Sequence, residues 1–235
     1  MRISLSRRLA AEFLGSALLV AAVVGSGVMG ERLANGNVAL ALLANTIATG
    51  AALVAIILTF GPISGAHLNP AVTLADAIER GLPWAEAWQY MLVQVLGGVA
   101  GVVTAHLMFG LPLIFLSHHM RSGPAQFLSE FIATFGLVSV IWGCSRAQME
   151  LVPFAVGAYI TAAYWFTAST SFANPAVTVA RSLSDTFAGI RPGDAPLFIV
   201  AQVLGALAAT FLFRWLLPGL PAMAKDVLVA HRGDS

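Results

Sequence analysis

The sequence predicts an all-α membrane protein with six spanning helices and two re-entrant half-helices, arranged as an inverted internal repeat in a single domain, residues 1–235. Three observations predict it. The chain is 58% hydrophobic and only 10% charged, against roughly 25% charged in an ordinary soluble domain, and its mean hydropathy is +0.85. Uncharged windows of about 20 residues recur, the length needed to cross a hydrocarbon core ~30 Å thick. The pentapeptide Asn-Pro-Ala-Val-Thr occurs twice, at Asn69 to Thr73 and at Asn174 to Thr178.

Six spans follow from the apolar windows: about 9–29, 38–60, 87–109, 127–145, 151–167 and 195–216. Three arginines before the first window resemble the start of a secretory signal, but the apolar run continues without a convincing small-x-small cleavage site before Glu31. It reads as a retained first span. Two apolar runs exceed one crossing. Leu33 to Ala75 has no Asp, Glu, Lys or Arg over 43 residues, and Leu151 to Ala180 has none over 30. The surplus in each lies at the C-terminal end, is rich in Gly, Ser, Thr and Asn, and contains one Asn-Pro-Ala. Proline after asparagine starts helices, because the ring fixes φ and lacks an N–H that the first turn leaves unpaired anyway. Irregular backbone at membrane depth is tolerated only inside protein or beside a wet cavity. Each surplus therefore predicts a re-entrant loop leading into a half-helix.

The duplication reaches past the pentapeptide. Ala11-Glu12-Phe13-Leu14 returns as Ser129-Glu130-Phe131-Ile132, and Gln94-Val95-Leu96-Gly97 as Gln202-Val203-Leu204-Gly205. Glu, Asn-Pro-Ala and Gln keep one order at offsets of 118, 105 and 108 residues. Repeat 1 covers about 8–109 and repeat 2 about 126–217. Three spans per half is odd, so the second half enters from the opposite side, with a pseudo-two-fold axis in the membrane plane. The half-helices then meet N-terminus to N-terminus near the midplane, each end carrying roughly +0.5 of a charge. Cations are opposed there, while Asn69 and Asn174 offer amide donors to a neutral hydroxylated molecule.

These motifs are similar to those of the aquaporin and aquaglyceroporin (major intrinsic protein) family, over about residues 8–217. The resemblance rests on both Asn-Pro-Ala copies (Asn69, Pro70, Ala71; Asn174, Pro175, Ala176), the Ser64-Gly65-Ala66-His67-Leu68 lead-in, and the paired Glu and Gln. It implies a right-handed six-helix bundle with one pore per subunit, a homotetramer, and passive permeation of small neutral solutes through the lipid bilayer. It also implies no cofactor and a plasma-membrane (bacterial inner-membrane) location. With both termini cytoplasmic, Arg2, Arg7, Arg8, Arg80, Arg146, Arg214, Lys225 and Arg232 lie inside and Arg32, Arg121, Arg181 and Arg191 outside, in keeping with the positive-inside bias.

The chain departs from the family one residue past the second motif. Most members carry arginine where Val177 stands, at the outer constriction. Thr49, 20 residues before Asn69, takes a place usually held by a bulky aromatic. Phe172 or Ser171 falls on the loop position, and the fourth position lies within Ala162 to Tyr164, of which Tyr164 is chosen. Val and Thr in place of a guanidinium and an aromatic ring widen the filter and remove a fixed cation. Water, glycerol and trivalent metalloid hydroxides such as arsenite and antimonite become expected solutes, the metalloids by resemblance to a bacterial subgroup with valine at this place. The alternatives are a water-selective pore, or a small secondary transporter with broken helices.

Other residues carry plainer readings. Glu12, Glu130, Gln94 and Gln202 are expected to bond the backbone of the re-entrant loops, and His67 to line the pore through its carbonyl. His118 and His119 are solvated rather than metal ligands. The lone Cys144 excludes an internal disulfide and a multi-Cys metal site. Arg181 pairs with Asp185 at i,i+4, or else places a charge in the outer vestibule. A formal charge of +1 gives no reason to expect a nucleic acid, and no nucleophile–base set points to an enzyme.

Overall fold

The computed structural model describes residues 3–147 and 149–217. Of the cations weighed for orientation, Arg2, Lys225 and Arg232 lie outside the described residues, as does the side chain of Arg146. Eight α-helices follow in order: α1 (Leu5–Leu33), α2 (Val38–Ser64), α3 (Pro70–Ile78), α4 (Trp84–Phe109), α5 (Pro124–Ala147), α6 (Val152–Phe166), α7 (Pro175–Arg181) and α8 (Ala195–Leu216). A single 3₁₀ turn, Met149–Leu151, leads into α6. Six helical segments among the described residues, α6 counted together with the 3₁₀ turn as Met149–Phe166, are long and apolar enough to cross a membrane; α3 and α7 are the half-helices.

The spanning helices differ from the expected windows at their ends. Helix α1 begins at Leu5 because Arg8 finds Glu86 at 2.7 Å across the bundle, which lets the polar first turn stay helical. Helix α2 runs through Pro62 to Ser64 and stops at Gly65, whose φ of 88° ends the helix in the left-handed region. The loop feeding α3 is therefore shorter than the uncharged surplus suggests.

Leu14, Leu18, Leu92, Leu96, Leu128 and Leu204 are exposed on the outer faces of the spans, where lipid replaces water as their solvent. Polar groups are turned inward instead: Glu12, Asn45, Gln94, Glu130 and Gln202 are all buried. Small residues set the helix spacing. Helix α1 packs on α4 and α5 on α8, and a Cβ on Gly97 or Gly205 would collide with the backbone carbonyl of Phe13 or Phe131 respectively. These two contacts occupy equivalent places in the two halves. Close approach of this kind is how helices associate where apolar burial offers no driving force. The halves join where α2 crosses α6: a Cβ on Gly157 would lie 2.9 Å from the Gly50 carbonyl oxygen.

The first residues of α1 and α4 and the last of α3 and α8 share one face, tied by Arg8–Glu86 and by Arg214–Glu79 at 2.6 Å. On the far face, the segment joining the halves lies along the chain that follows α7, with Phe115 N donating to the Leu183 carbonyl and Ser117 N to that of Ser182.

Candidate functional site

Helices α3 and α7 are capped by Asn69 and Asn174, and the two asparagines bond in parallel ways. Each caps its own helix: Asn69 Oδ1 accepts from Ala71 N at 2.9 Å, and Asn174 Oδ1 from Ala176 N at 2.9 Å and Val177 N at 3.2 Å. Each also reaches into the other half. Asn69 Nδ2 donates to the Ala173 carbonyl at 2.7 Å, and Asn174 Nδ2 to the Leu68 carbonyl at 2.8 Å. A primary amide has two N–H groups, so one on each asparagine is used in this exchange and one is left. Both side chains border a common cavity. Thr73 and Thr178 close the first turn of each half-helix by donating to the Asn69 and Asn174 carbonyls.

The approaches to the half-helices are held in an unusual backbone. Ala66 and Leu68, and their counterparts Ser171 and Ala173, have φ between 46° and 52°, where a non-glycine residue costs about 1–2 kcal/mol. Two buried carboxylates hold them there. Glu12 accepts from Ser64 Oγ (2.7 Å), His67 N (3.0 Å), Leu68 N (2.7 Å) and Gln94 Nε2 (2.8 Å). Glu130 accepts from Phe172 N (2.9 Å), Ala173 N (2.9 Å) and Gln202 Nε2 (2.6 Å). Each glutamine also donates to the half-helix threonine, Thr73 or Thr178. Charge-assisted bonds to backbone N–H groups are the strong kind, and here they fix loops that regular structure cannot reach.

The cavity spans about 750 Å³, open mouths included, and runs from Ile57 and Val152 past both asparagines to Thr49, Tyr164 and Arg181. One side of its wall is apolar: Leu19, Val23, Leu137, Ile141, Val156 and Ile160. The other is built from the two re-entrant loops, including His67. Toward the far face, Thr49, Tyr164, Val177, Phe172 and Ser171 all border it. Tyr164 donates from its phenol to Thr49 Oγ1 at 3.2 Å, tying α6 to α2. Both alternatives for the loop position thus touch the cavity. The Phe172 ring, however, packs edge-on against Phe198 at 5.2 Å.

Arg181 departs from its expected pairing. It does not meet Asp185; its Nε donates to the Ala188 carbonyl and its guanidinium lies over the Phe172 ring, 3.3 Å from the centroid. The reason is local: α7 stops at Arg181, so the i,i+4 geometry does not exist beyond it. Asp185 bonds His118 instead, through the backbone N at 2.8 Å and the ring Nδ1 at 2.9 Å, and these bonds hold its carboxyl below its usual value. Arg181 is thus buried and borders the cavity four residues past Val177. Arg121, read from the sequence only as an outside charge, is buried and ties down the second loop by donating to the Gly189 and Ser169 carbonyls, at 2.9 and 3.0 Å. Nothing local in the sequence marks it. The threonines were within reach, since Thr73 and Thr178 complete the repeated pentapeptide.

Comparison with known proteins agrees with this architecture. The major intrinsic protein family model matches residues 1–171 and 143–233. The chain is 57% identical to aquaglyceroporin AqpS of Rhizobium meliloti over 94% of its own length and 95% of that protein's. The chain belongs to the major intrinsic protein family. It is also 32% identical to aquaporin NIP3-1 of rice (Oryza sativa subsp. japonica), covering 88% of this chain and 67% of that one. In fold it resembles the X-ray structure of the aquaglyceroporin from Plasmodium falciparum, with a TM-score of 0.74 at 20% identity, covering 93% of this chain and 100% of that one. The protein is thus a multi-pass membrane channel of the aquaglyceroporin type for small neutral solutes, and not an enzyme.

Proposed function

We propose that this channel conducts glycerol-sized neutral solutes, with water, glycerol and the trihydroxides of trivalent arsenic and antimony as its solute class. The observation that carries the reading is the far end of the cavity, where Thr49, bonded to the Tyr164 phenol, and Val177 both border the lumen with no large side chain at either position. Asn69 and Asn174 serve as the midplane donors, each with one amide N–H to spare. Thr49, Tyr164, Phe172 and Val177 form the selectivity filter, and Glu12, Glu130, Gln94, Gln202 and His67 shape the loops. The name of the Rhizobium relative, an aquaglyceroporin, supports glycerol. A trihydroxide of a trivalent metalloid displays hydroxyls as a polyol does, so a wall that accepts one accepts the other. The two repeats, about 8–109 and 126–217, act as the two halves of one pore. Both termini face the cytoplasm of a plasma membrane, and four copies assemble, each with its own pore.

Stopped-flow measurements on proteoliposomes with water, glycerol, urea and arsenite test this reading. Glycerol and arsenite flux above that of empty liposomes is the expected result. Water flux alone would replace it with a water-selective pore.

A further inference from the structure

The two halves share a scaffold but differ at one pair of positions. Phe172 and Arg181 pack together in the second half; at the equivalent places, 105 residues earlier, stand His67 and Asp76. His67 is 5% exposed as a residue, yet its side chain has no exposed surface. The part of it that borders the cavity is therefore backbone, and the ring is drawn into the wall. Three groups hold the ring there. Tyr90 packs tilted against it at 5.4 Å between centroids, Nδ1 meets Thr73 Oγ1 at 3.1 Å, and Nε2 faces the Asp76 carboxyl at 3.6 Å.

The threonine settles which nitrogen carries hydrogen. Its hydroxyl donates to the Asn69 carbonyl, as that of Thr178 does to Asn174, and it accepts from Gln94 Nε2. Only a lone pair is left for His67, so Nδ1 is the donor. A neutral ring then turns the bare lone pair of Nε2 toward Asp76, where an ionised carboxylate would set acceptor against acceptor. Asp76 is fully buried, and among the described residues neither of its oxygens nor His67 Nε2 has a hydrogen-bond partner. Its place is kept by Gly81, where a Cβ would collide with Asp76 Oδ1. Buried polar groups left unpaired are costly, and a single proton between these two removes the conflict.

We propose that Asp76 is a positioning residue for the end of the pore toward Arg8 and Arg214: it shares one proton with His67 and so keeps the imidazole out of the lumen. The assignment rests on the channel reading above and adds a determinant of solute size at the end opposite the filter. The other charged and titratable groups around the ring are committed elsewhere. Glu12 of α1 accepts from the loop N–H groups, Arg8 pairs with Glu86, the Tyr90 phenol donates to the Ser64 carbonyl, and Glu79 holds Arg214 of α8. Without the Asp76 carboxyl, Nε2 has no partner in the wall. The ring then turns to the water of the lumen and narrows the passage.

The test reads water and glycerol permeability of proteoliposomes carrying wild type, Asp76→Ala, Asp76→Asn, His67→Ala and the double variant His67→Ala/Asp76→Ala. Asp76→Ala is expected to lower glycerol permeability about tenfold, equivalent to about 1.4 kcal/mol of barrier, and water permeability less. Asp76→Asn is expected to restore the flux, because its amide N–H donates to Nε2 with no shared proton needed. If Asp76 acts through the ring, removing it in the His67→Ala background costs nothing further. Wild-type flux in Asp76→Ala, an equal loss in Asp76→Asn, or the same loss with and without the His67 ring would each overturn the proposal. If Asp76→Ala does not assemble, Asp76→Leu, which fills the space without a proton, takes its place. Failure of both to assemble beside an intact Asp76→Asn would mark Asp76 as structural and overturn the proposal too. A wild-type protein that passes water but no glycerol defeats the solute reading alone, since water permeability of the same variants still decides the role of Asp76.

Discussion

Single side chains line this passage, and the effects expected of them are separable by flux. Val177 borders the cavity near Thr49 and the Tyr164 phenol, so Val177→Arg inserts a second guanidinium close to Arg181. Two cations in one constriction repel, and the lumen narrows. Glycerol and arsenite fluxes are expected to fall sharply while water flux persists, as measured on all three solutes in one liposome preparation. An unchanged ratio of large-solute to water flux would remove Val177 from the constriction. At the midplane, Asn69→Asp loses the donor that holds the Ala173 carbonyl and substitutes a negative charge; Asn174→Asp does the same to the Leu68 carbonyl. Lower glycerol flux and a larger cation leak are expected from each, read by stopped flow and a pH-sensitive dye.

At the scale of elements, the re-entrant loops depend on helices distant in sequence. Glu130→Ala leaves the N–H groups of Phe172 and Ala173 buried without their acceptor, at about 1–3 kcal/mol per group, while Ser171 and Ala173 still demand a left-handed backbone. A clear fall in the thermal unfolding midpoint in detergent is expected, together with loss of flux. A retained midpoint would mean that the loop is held by other contacts. Helix pairing makes a second demand. Gly205→Leu has no room against the Phe131 carbonyl, so α5 and α8 must separate, at a cost of about 1–3 kcal/mol or more. The expected outcome is aggregation or a broad peak on size exclusion, whereas Leu204→Ala, on the exposed face next to it, is expected to elute as wild type.

For the molecule as a whole, a cavity lined by two halves that bond each other at the midplane argues for transport without a conformational cycle. The halves are joined by the Asn69–Ala173 and Asn174–Leu68 bonds and by the α2–α6 contact at Gly50 and Gly157, contacts that rocking of one half against the other would have to break. Glycerol flux is therefore expected to rise linearly with the gradient, with a low activation energy and no dependence on sodium or a proton gradient. Saturation at low concentration or ion coupling would point to an alternating-access carrier instead.

Span number, half-helices and the repeat were all legible in the linear chain, because each rests on local physics. A hydrocarbon core demands an uncharged length, proline after asparagine starts a helix wherever it stands, and duplicated motifs keep their order. Glu12 and Glu130 were legible as ties to the loop backbone, whereas Gln94 and Gln202, expected to do the same, donate to those carboxylates and to Thr73 and Thr178 instead. Pairings across space were not. Arg181 was read against Asp185, four residues on, when its partners are the Ala188 carbonyl and the ring of Phe172; the early stop of α7 and the fold of the following loop settle that. The Tyr164–Thr49 bond joins residues 115 apart, and Arg121 reaches its carbonyls across 48 to 68 residues. Such contacts are set by where helices cross and where loops return. In an interior without water an unpaired polar group is costly, so these long-range contacts, invisible to local sequence physics, decide which side chain meets which.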